Sequence, residues 1–165
     1  MNWNNSNNSV SDRVFGALPY FLPLFDMFIS GYGSPLFNAF PVLESAFVPL
    51  IPVLQLYRQL VIGIPFGAML LFLVLYLAVV RNDRISRFVR FNVMQAILVD
   101  IILSLCNLVL PLLAKGMPVE FVTQTLVSTI FLGIIGIFGY AVVRSLRGET
   151  AMLPAISDAV NMQIR

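Results

Sequence analysis

The chain has 165 residues, 59% of them hydrophobic and 11% charged, with a mean hydropathy of +0.90. A water-soluble domain keeps about a quarter of its residues charged, so the composition excludes one and implies an integral membrane protein. The net charge of +2 makes no case for nucleic acid, and a chain with no His and one Cys, Cys106, excludes Cys/His zinc sites, an intrachain disulfide and His-based catalysis or haem ligation.

Residues 1–13 begin as MNWNNSNNSVSD, an Asn/Ser tail with no basic residue before Arg13. It has neither the positive start of a secretory signal nor the arginines of a transit peptide, and it is expected to be disordered. The first apolar stretch, residues 14–29, would reach roughly 24 Å as a straight helix, short of a ~30 Å hydrocarbon core. Pro19 and Pro23 lie inside it and Asp26 near its end, so a kinked, slightly short span is expected. Residues 30–40, SGYGSPLFNAF, carry turn chemistry. Residues 41–57 are apolar but interrupted by Glu44, Pro49 and Pro52. They read as an interfacial or re-entrant segment rather than a fifth span, because two prolines and a carboxylate make a lipid-facing helix costly.

Residues 60–80 form an uncharged second span, with Pro65 as a site for a kink. The connector that follows holds Arg81, Arg84, Arg87 and Arg90. A helix from about Asp83 would put Ile85, Phe88, Val89 and Asn92 on one face and the arginines off it, as for a short helix lying on anionic headgroups. Residues 92–114 are the third span, KGMPVE (115–120) a tight hairpin link, and 121–143 the fourth span. Residues 148–165 make a polar C-terminal tail.

The expected fold is therefore all-α: an integral membrane bundle of four transmembrane helices with both termini on one side. That arrangement collects Arg13, Arg81, Arg84, Arg87, Arg90, Arg144, Arg147 and Arg165 on the side of the termini, against Arg58 and Lys115 on the other. By the positive-inside rule the termini face the cytoplasm or its organellar equivalent. A fifth span at 41–57 would weaken the split.

Polar groups inside the spans are the candidate functional residues. On a helical wheel Asp100, Ser104 and Asn107 fall within about 60° of one another, with Asn92 adjacent and Gln95 displaced. A charged Asp at a helix centre costs about 2.5–3.5 kcal/mol on insertion scales, so Asp100 should face protein or water. It either hydrogen-bonds a neighbouring helix, lines a polar path, or forms an ion pair. Gly133, Gly136 and Gly139 in the fourth span suit close packing against a crossing helix. The four arginines, interleaved with Phe88 and Phe91, point to anionic lipid or a partner's acidic surface. No carboxylates pair by spacing and no phosphate-binding loop is present, so neither a catalytic residue, a metal site nor a cofactor is expected.

The run LYLAVVRNDRISRFVRFNVMQAILVDIILSL resembles the Tic-twenty (Tic20) family, membrane subunits of the translocon at the chloroplast inner envelope and their cyanobacterial relatives. VVRN (79–82), SRFVRFN (86–92) and MQAILVDI (94–101) carry the resemblance, and LPYFLPLFD (18–26) looks like the family's first-span pattern. It covers about residues 17–143. The resemblance implies four helices, both termini stromal or cytoplasmic, and a part in a preprotein-conducting channel built with other subunits. Without a transit peptide the chain looks cyanobacterial or plastid-encoded, with a place in a plasma or thylakoid membrane or the chloroplast inner envelope.

Two functions follow as expectations. The preferred one is a non-enzymatic component of a protein-translocating complex, touching membrane lipids, other translocon subunits or further copies of itself, and preproteins in transit. The alternative is a structural or assembly subunit of a photosynthetic or respiratory complex. A small-solute transporter would rest on the intramembrane carboxylates alone.

Overall fold

Ser9 starts the first helix. In a computed structural model, which describes residues 8–116, 120–154 and 156–164, α1 (Val10–Ala17) opens with a capping box. The Ser9 hydroxyl accepts from Asp12 N at 3.1 Å, and the Asp12 carboxylate accepts from Ser9 N at 3.2 Å. The helix thus begins four residues ahead of the expected span, and residues 1–7 of the expected tail lie outside the described residues. A 3₁₀ turn, Leu18–Tyr20, carries Pro19 in its first turn and leads into α2 (Phe21–Ile29). Proline lacks only a donor that a helix start leaves unused, so the path tightens instead of breaking. Its three parts extend roughly 31 Å, which removes the shortfall expected for 14–29.

The segment after α2 is more helical than its glycines and prolines suggest. Gly31, at φ 77°, turns the chain. There follow α3 (Ser34–Ala39), α4 (Pro41–Phe47), a 3₁₀ turn (Val48–Leu50) and α5 (Ile51–Val61). Pro35, Pro41, Pro49 and Pro52 each fall in the first turn of one of these elements, where proline favours a start. None of α3, α4 or α5 contains a buried residue.

The expected span 60–80 is not one helix. α5 stops at Val61, residues 62–66 turn, and α6 (Gly67–Leu75) continues as a π-helical segment, Tyr76–Val80. Pro65 breaks rather than kinks the run: it disfavours helical backbone at Ile64 and withholds a donor. Phe66 then sits at φ 58°, and a Cβ on Gly67 would collide with the Leu60 carbonyl oxygen. The connector 81–86 is a set of turns, so the helix expected from Asp83 begins only at Arg87, where α7 (Arg87–Gly116) starts. The hairpin link lies largely outside the described residues, and α8 (Glu120–Leu146) follows. The C-terminal tail is not simply polar. After Gly148 (φ 79°) the chain folds back into α9 (Ile156–Gln163), which buries Val160 against α7.

Every element among the described residues is helical. α7 and α8 are the helices long and apolar enough to cross a membrane. Large side chains such as Phe66, Leu108, Leu112 and Phe121 stand exposed, as expected where lipid is the solvent. One apolar cluster joins Val80, Phe88, Phe91, Val160 and Ile164. A second joins Leu24, Met27, Leu103 and Phe131. Rings of Phe28, Phe37 and Phe47 gather on Phe131 with centroids 5.5–6.3 Å away, the range in which edge-to-face pairs attract.

Candidate functional site

Residues 8–13, the 81–93 stretch and residues 145–164 meet at one end of the bundle. Asn8 Nδ2 donates to the Gly148 carbonyl at 2.8 Å, and Arg13 Nε donates to the Asn8 carbonyl at 3.2 Å. The Ser86 hydroxyl donates to Asp12 Oδ1 at 2.9 Å, tying the connector to the start of α1. Hydrogen bonds from the Ser9 and Ser86 hydroxyls hold the Asp12 carboxyl below the usual carboxylate range.

The four arginines divide by role. Arg90 is buried, its Nε donates to the Val80 carbonyl at 2.9 Å, and its guanidinium pairs with Asp83 at 2.9 Å. It closes the connector on itself: Val80 ends the π segment, and Arg90 satisfies a carbonyl that has left the helical ladder. Arg81, Arg84 and Arg87 are exposed. A connector expected to present four guanidinium groups therefore presents three, because only the turn conformation of 81–86 brings Asp83 and Val80 round to Arg90.

The polar residues of α7 fall into three separate groups, and the expected cluster of Asp100, Ser104 and Asn107 is divided among different partners. Asn92 and Gln95 are completely buried and meet around Tyr20. The Tyr20 hydroxyl lies 3.0 Å from Asn92 Oδ1 and 3.2 Å from Gln95 Oε1, and the Ser145 hydroxyl donates to Asn92 Oδ1 at 3.2 Å. Asn92 Nδ2 returns to the Phe88 carbonyl of its own helix at 2.9 Å. Gln95, displaced from the Asp100 cluster on the wheel, is joined to Asn92 by a third residue. A hydroxyl arriving between positions i and i+3 can reach both.

Asp100 belongs to a second group. α2 brings Asp26 into hydrogen-bonding range of it, and the Tyr57 hydroxyl of α5 reaches Asp26. Two carboxyls can be joined by a hydrogen bond only if one holds a proton. Asp100 Oδ1 accepts from no N–H or hydroxyl among the described residues. Leu22, Leu71, Phe72, Leu75 and Ile97 wall the roughly 20 Å³ beside the pair.

Asn107 forms the third group, donating from Nδ2 to the Ser30 hydroxyl at 3.0 Å. Ser104 is exposed and makes no side-chain hydrogen bond among the described residues. Around Gly133, Gly136 and Gly139 nothing lies within 4 Å of where a Cβ would stand. The glycine row is no point of close approach within this chain, in contrast to the packing expected of it, because α8 turns other faces to its neighbours: Phe131, Ile134, Ala141 and Ser145.

Tyr20, Ser145 and Tyr57 were not singled out from sequence. Asp26 was visible only as an intramembrane carboxylate, with no sign of its partner 74 positions away.

A family profile described as "Chloroplast import apparatus Tic20-like" matches residues 6–160. A "Tic20 family protein" of Synechocystis is 42% identical over 98% of this chain and 98% of that protein. "Protein TIC 20-II, chloroplastic" of Arabidopsis thaliana is 36% identical over 93% of this chain and 73% of that protein. "Tic20 family protein Ycf60" of Gracilaria tenuistipitata var. liui, 31% identical, covers 94% of this chain and 76% of its own length.

Proposed function

The chain belongs to the Tic20 family, and we propose that it works as a non-enzymatic membrane subunit of a protein-translocation complex. The observation that carries this reading is the match across residues 6–160, in which cyanobacterial and chloroplast proteins align with nearly the whole chain. The bundle crosses the membrane four times, through the α1–α2 path, the α6 segment, α7 and α8, with α3 to α5 at the interface far from the connector. Two features support that topology. Asn8 and Asp12 gather with Gly148 and Ser86 beside the connector, and the Phe47 ring of α4 packs on Phe28, next to the far end of α2.

Four helices of this size enclose too little space for a polypeptide pore, so the chain contributes to a channel only alongside other subunits or further copies. The exposed glycine row of α8 supplies a surface on which another helix can pack closely. Arg81, Arg84 and Arg87 supply a docking surface for anionic lipid or an acidic partner.

Photo-crosslinking from positions 81 and 84 in native membranes tests the function. Adducts with other translocation subunits or with a polypeptide in transit are expected. Adducts with a photosynthetic or respiratory complex alone would replace this reading with an assembly role. Cysteines at positions 6 and 150, in a Cys106→Ser background, test the topology: reagent reaching one but not the other in sealed vesicles removes the four-span arrangement.

A further inference from the structure

α6 packs on α5 and on the π segment but stands off from α1 and α2. The gap between them is a cavity of about 650 Å³ with its floor on the first turns of α7. Its walls are apolar along most of their length, from Leu22 and Leu71 through Leu75 to Val89 and Val93. Polar groups occur at one end only: Ser11, Asp12, Arg84 and Ser86, all at the connector.

We infer that this groove holds one acyl chain of an anionic glycerolipid, with the phosphate on Arg84 and the chain running down between α2 and α6. Three observations choose this occupant. The path from Asp12 to Leu22 runs roughly 15 Å at 1.5 Å per residue, half of a ~30 Å hydrocarbon core; the groove is one leaflet deep and begins at the headgroup level. The cavity is also within the roughly 300–1,000 Å³ of small-ligand sites. The charge at the mouth is also complementary. Both Asp12 oxygens are already engaged, Oδ1 by the Ser86 hydroxyl and Oδ2 by the Ser9 hydroxyl. The Arg84 guanidinium is exposed and makes no ion pair among the described residues, with Arg81 and Arg87 exposed nearby. Basic openings between transmembrane helices are where anionic headgroups bind. The site depends on no role in translocation.

The test uses the full chain in phosphatidylcholine vesicles carrying a trace of phosphatidylglycerol with a photoactivatable group in mid-chain. Adducts should concentrate on Leu22, Leu71, Leu75 and Val93, several-fold above Leu105, Leu108 and Leu112 on the exposed face of α7. Arg84→Gln should lower labelling by the anionic probe several-fold and leave labelling by a phosphatidylcholine probe unchanged. Leu71→Trp, which fills the groove, should lower both. Equal labelling of the groove and the exposed face of α7 would reduce the occupant to bulk lipid and overturn the site. An anionic preference that survives Arg84→Gln would overturn the headgroup assignment. Displacement of the label by a hydrophobic helical peptide at constant lipid would give the groove to a polypeptide and overturn the lipid.

Discussion

Tyr20 and Asn92, 72 positions apart in the chain, meet through a 3.0 Å hydrogen bond at the crossing of the first helical path with α7. Both are fully buried, and the same Asn92 oxygen also accepts from Ser145 on α8. One polar atom therefore stitches three parts of the bundle where no water competes. Removing a donor that leaves buried acceptors unmatched costs about 1–3 kcal/mol. Tyr20→Phe should destabilise the bundle by that amount, read as an earlier transition in a denaturing-detergent titration. Ser145→Ala should cost less, since the Tyr20 hydroxyl also reaches Gln95 Oε1 and Ser145 serves Asn92 alone. In a double-mutant cycle Tyr20→Phe and Asn92→Ala should be non-additive by about 0.5–3 kcal/mol; additive losses would mean that the bond contributes nothing.

Among the arginines, Arg90 should behave unlike its neighbours. Its guanidinium satisfies the Val80 carbonyl and is nearly inaccessible, and hydrogen bonds from charged donors are worth about 1.5–3 kcal/mol. Arg90→Ala should loosen residues 81–86, measured as faster proteolysis at the connector and a loss of stability in that range. Arg81→Ala and Arg84→Ala should leave stability within about 0.5 kcal/mol of the parent, as exposed substitutions usually do. A variant series in which all three lose stability equally would contradict this division.

Asp12 gives the bundle an acid-sensitive latch. Its carboxyl lies below its ordinary value of 3.8, chiefly through the Ser9 and Ser86 hydroxyls. A carboxylate with a lowered folded-state value adds stability above the unfolded value and loses it as pH falls through the folded one. The latch is thus fully engaged at neutral pH and weakens progressively below about pH 4. Ser9→Ala, which removes the cap, should cost about 1 kcal/mol. Asp12→Asn should lower stability at neutral pH and flatten the stability profile below pH 4. A profile identical to that of the parent would show that the carboxylate is not what ties α1 to the connector.

The carboxyl pair on α2 and α7 carries a different expectation. Asn replaces a carboxyl at equal size and still offers a donor to the remaining one. Asp100→Asn should therefore leave stability unchanged or raised, whereas Asp100→Ala removes the partner from Asp26 and should cost about 1–3 kcal/mol. Detergent titration of the two variants side by side checks the order. The reverse order would mean that the pair does not share a proton.

What could be read from the chain depended on whether the cause was local. Hydropathy over residues 92–114 and 121–143 is enough to mark α7 and α8, since length and apolarity are local properties. The capping box at Ser9 was equally local in principle, Ser9 followed by an acid at Asp12, but it was hidden in an Asn/Ser-rich stretch that resembles disorder. Pro65 shows the limit of local rules: proline can kink or break a helix, and here Gly63, a left-handed Phe66 and the tight approach of Gly67 to Leu60 decide for a break. The site was the least legible part. Asn92 and Gln95 share a network only because Tyr20 crosses α7 between them, and Asp100 finds Asp26 only through the packing of α2 on α7. A helical wheel ranks directions on one helix and holds nothing about what crosses it.

The glycine row of α8 separates folding from assembly. A Cβ on Gly133, Gly136 or Gly139 meets nothing within 4 Å, so Gly136→Leu should fold as the parent does. It should even gain up to about 1 kcal/mol from the better helix propensity of Leu. If the row is where another helix approaches, a leucine there holds the backbones apart and removes the close contact that drives association in lipid. Gly136→Leu should therefore leave the detergent titration midpoint unchanged or raised while co-purification with partner subunits, or crosslinking between copies, falls several-fold. Gly136→Ala should lie between the two because a methyl group intrudes less. Unaltered co-purification with the Leu variant would take α8 out of the interface and leave the connector arginines as the docking surface.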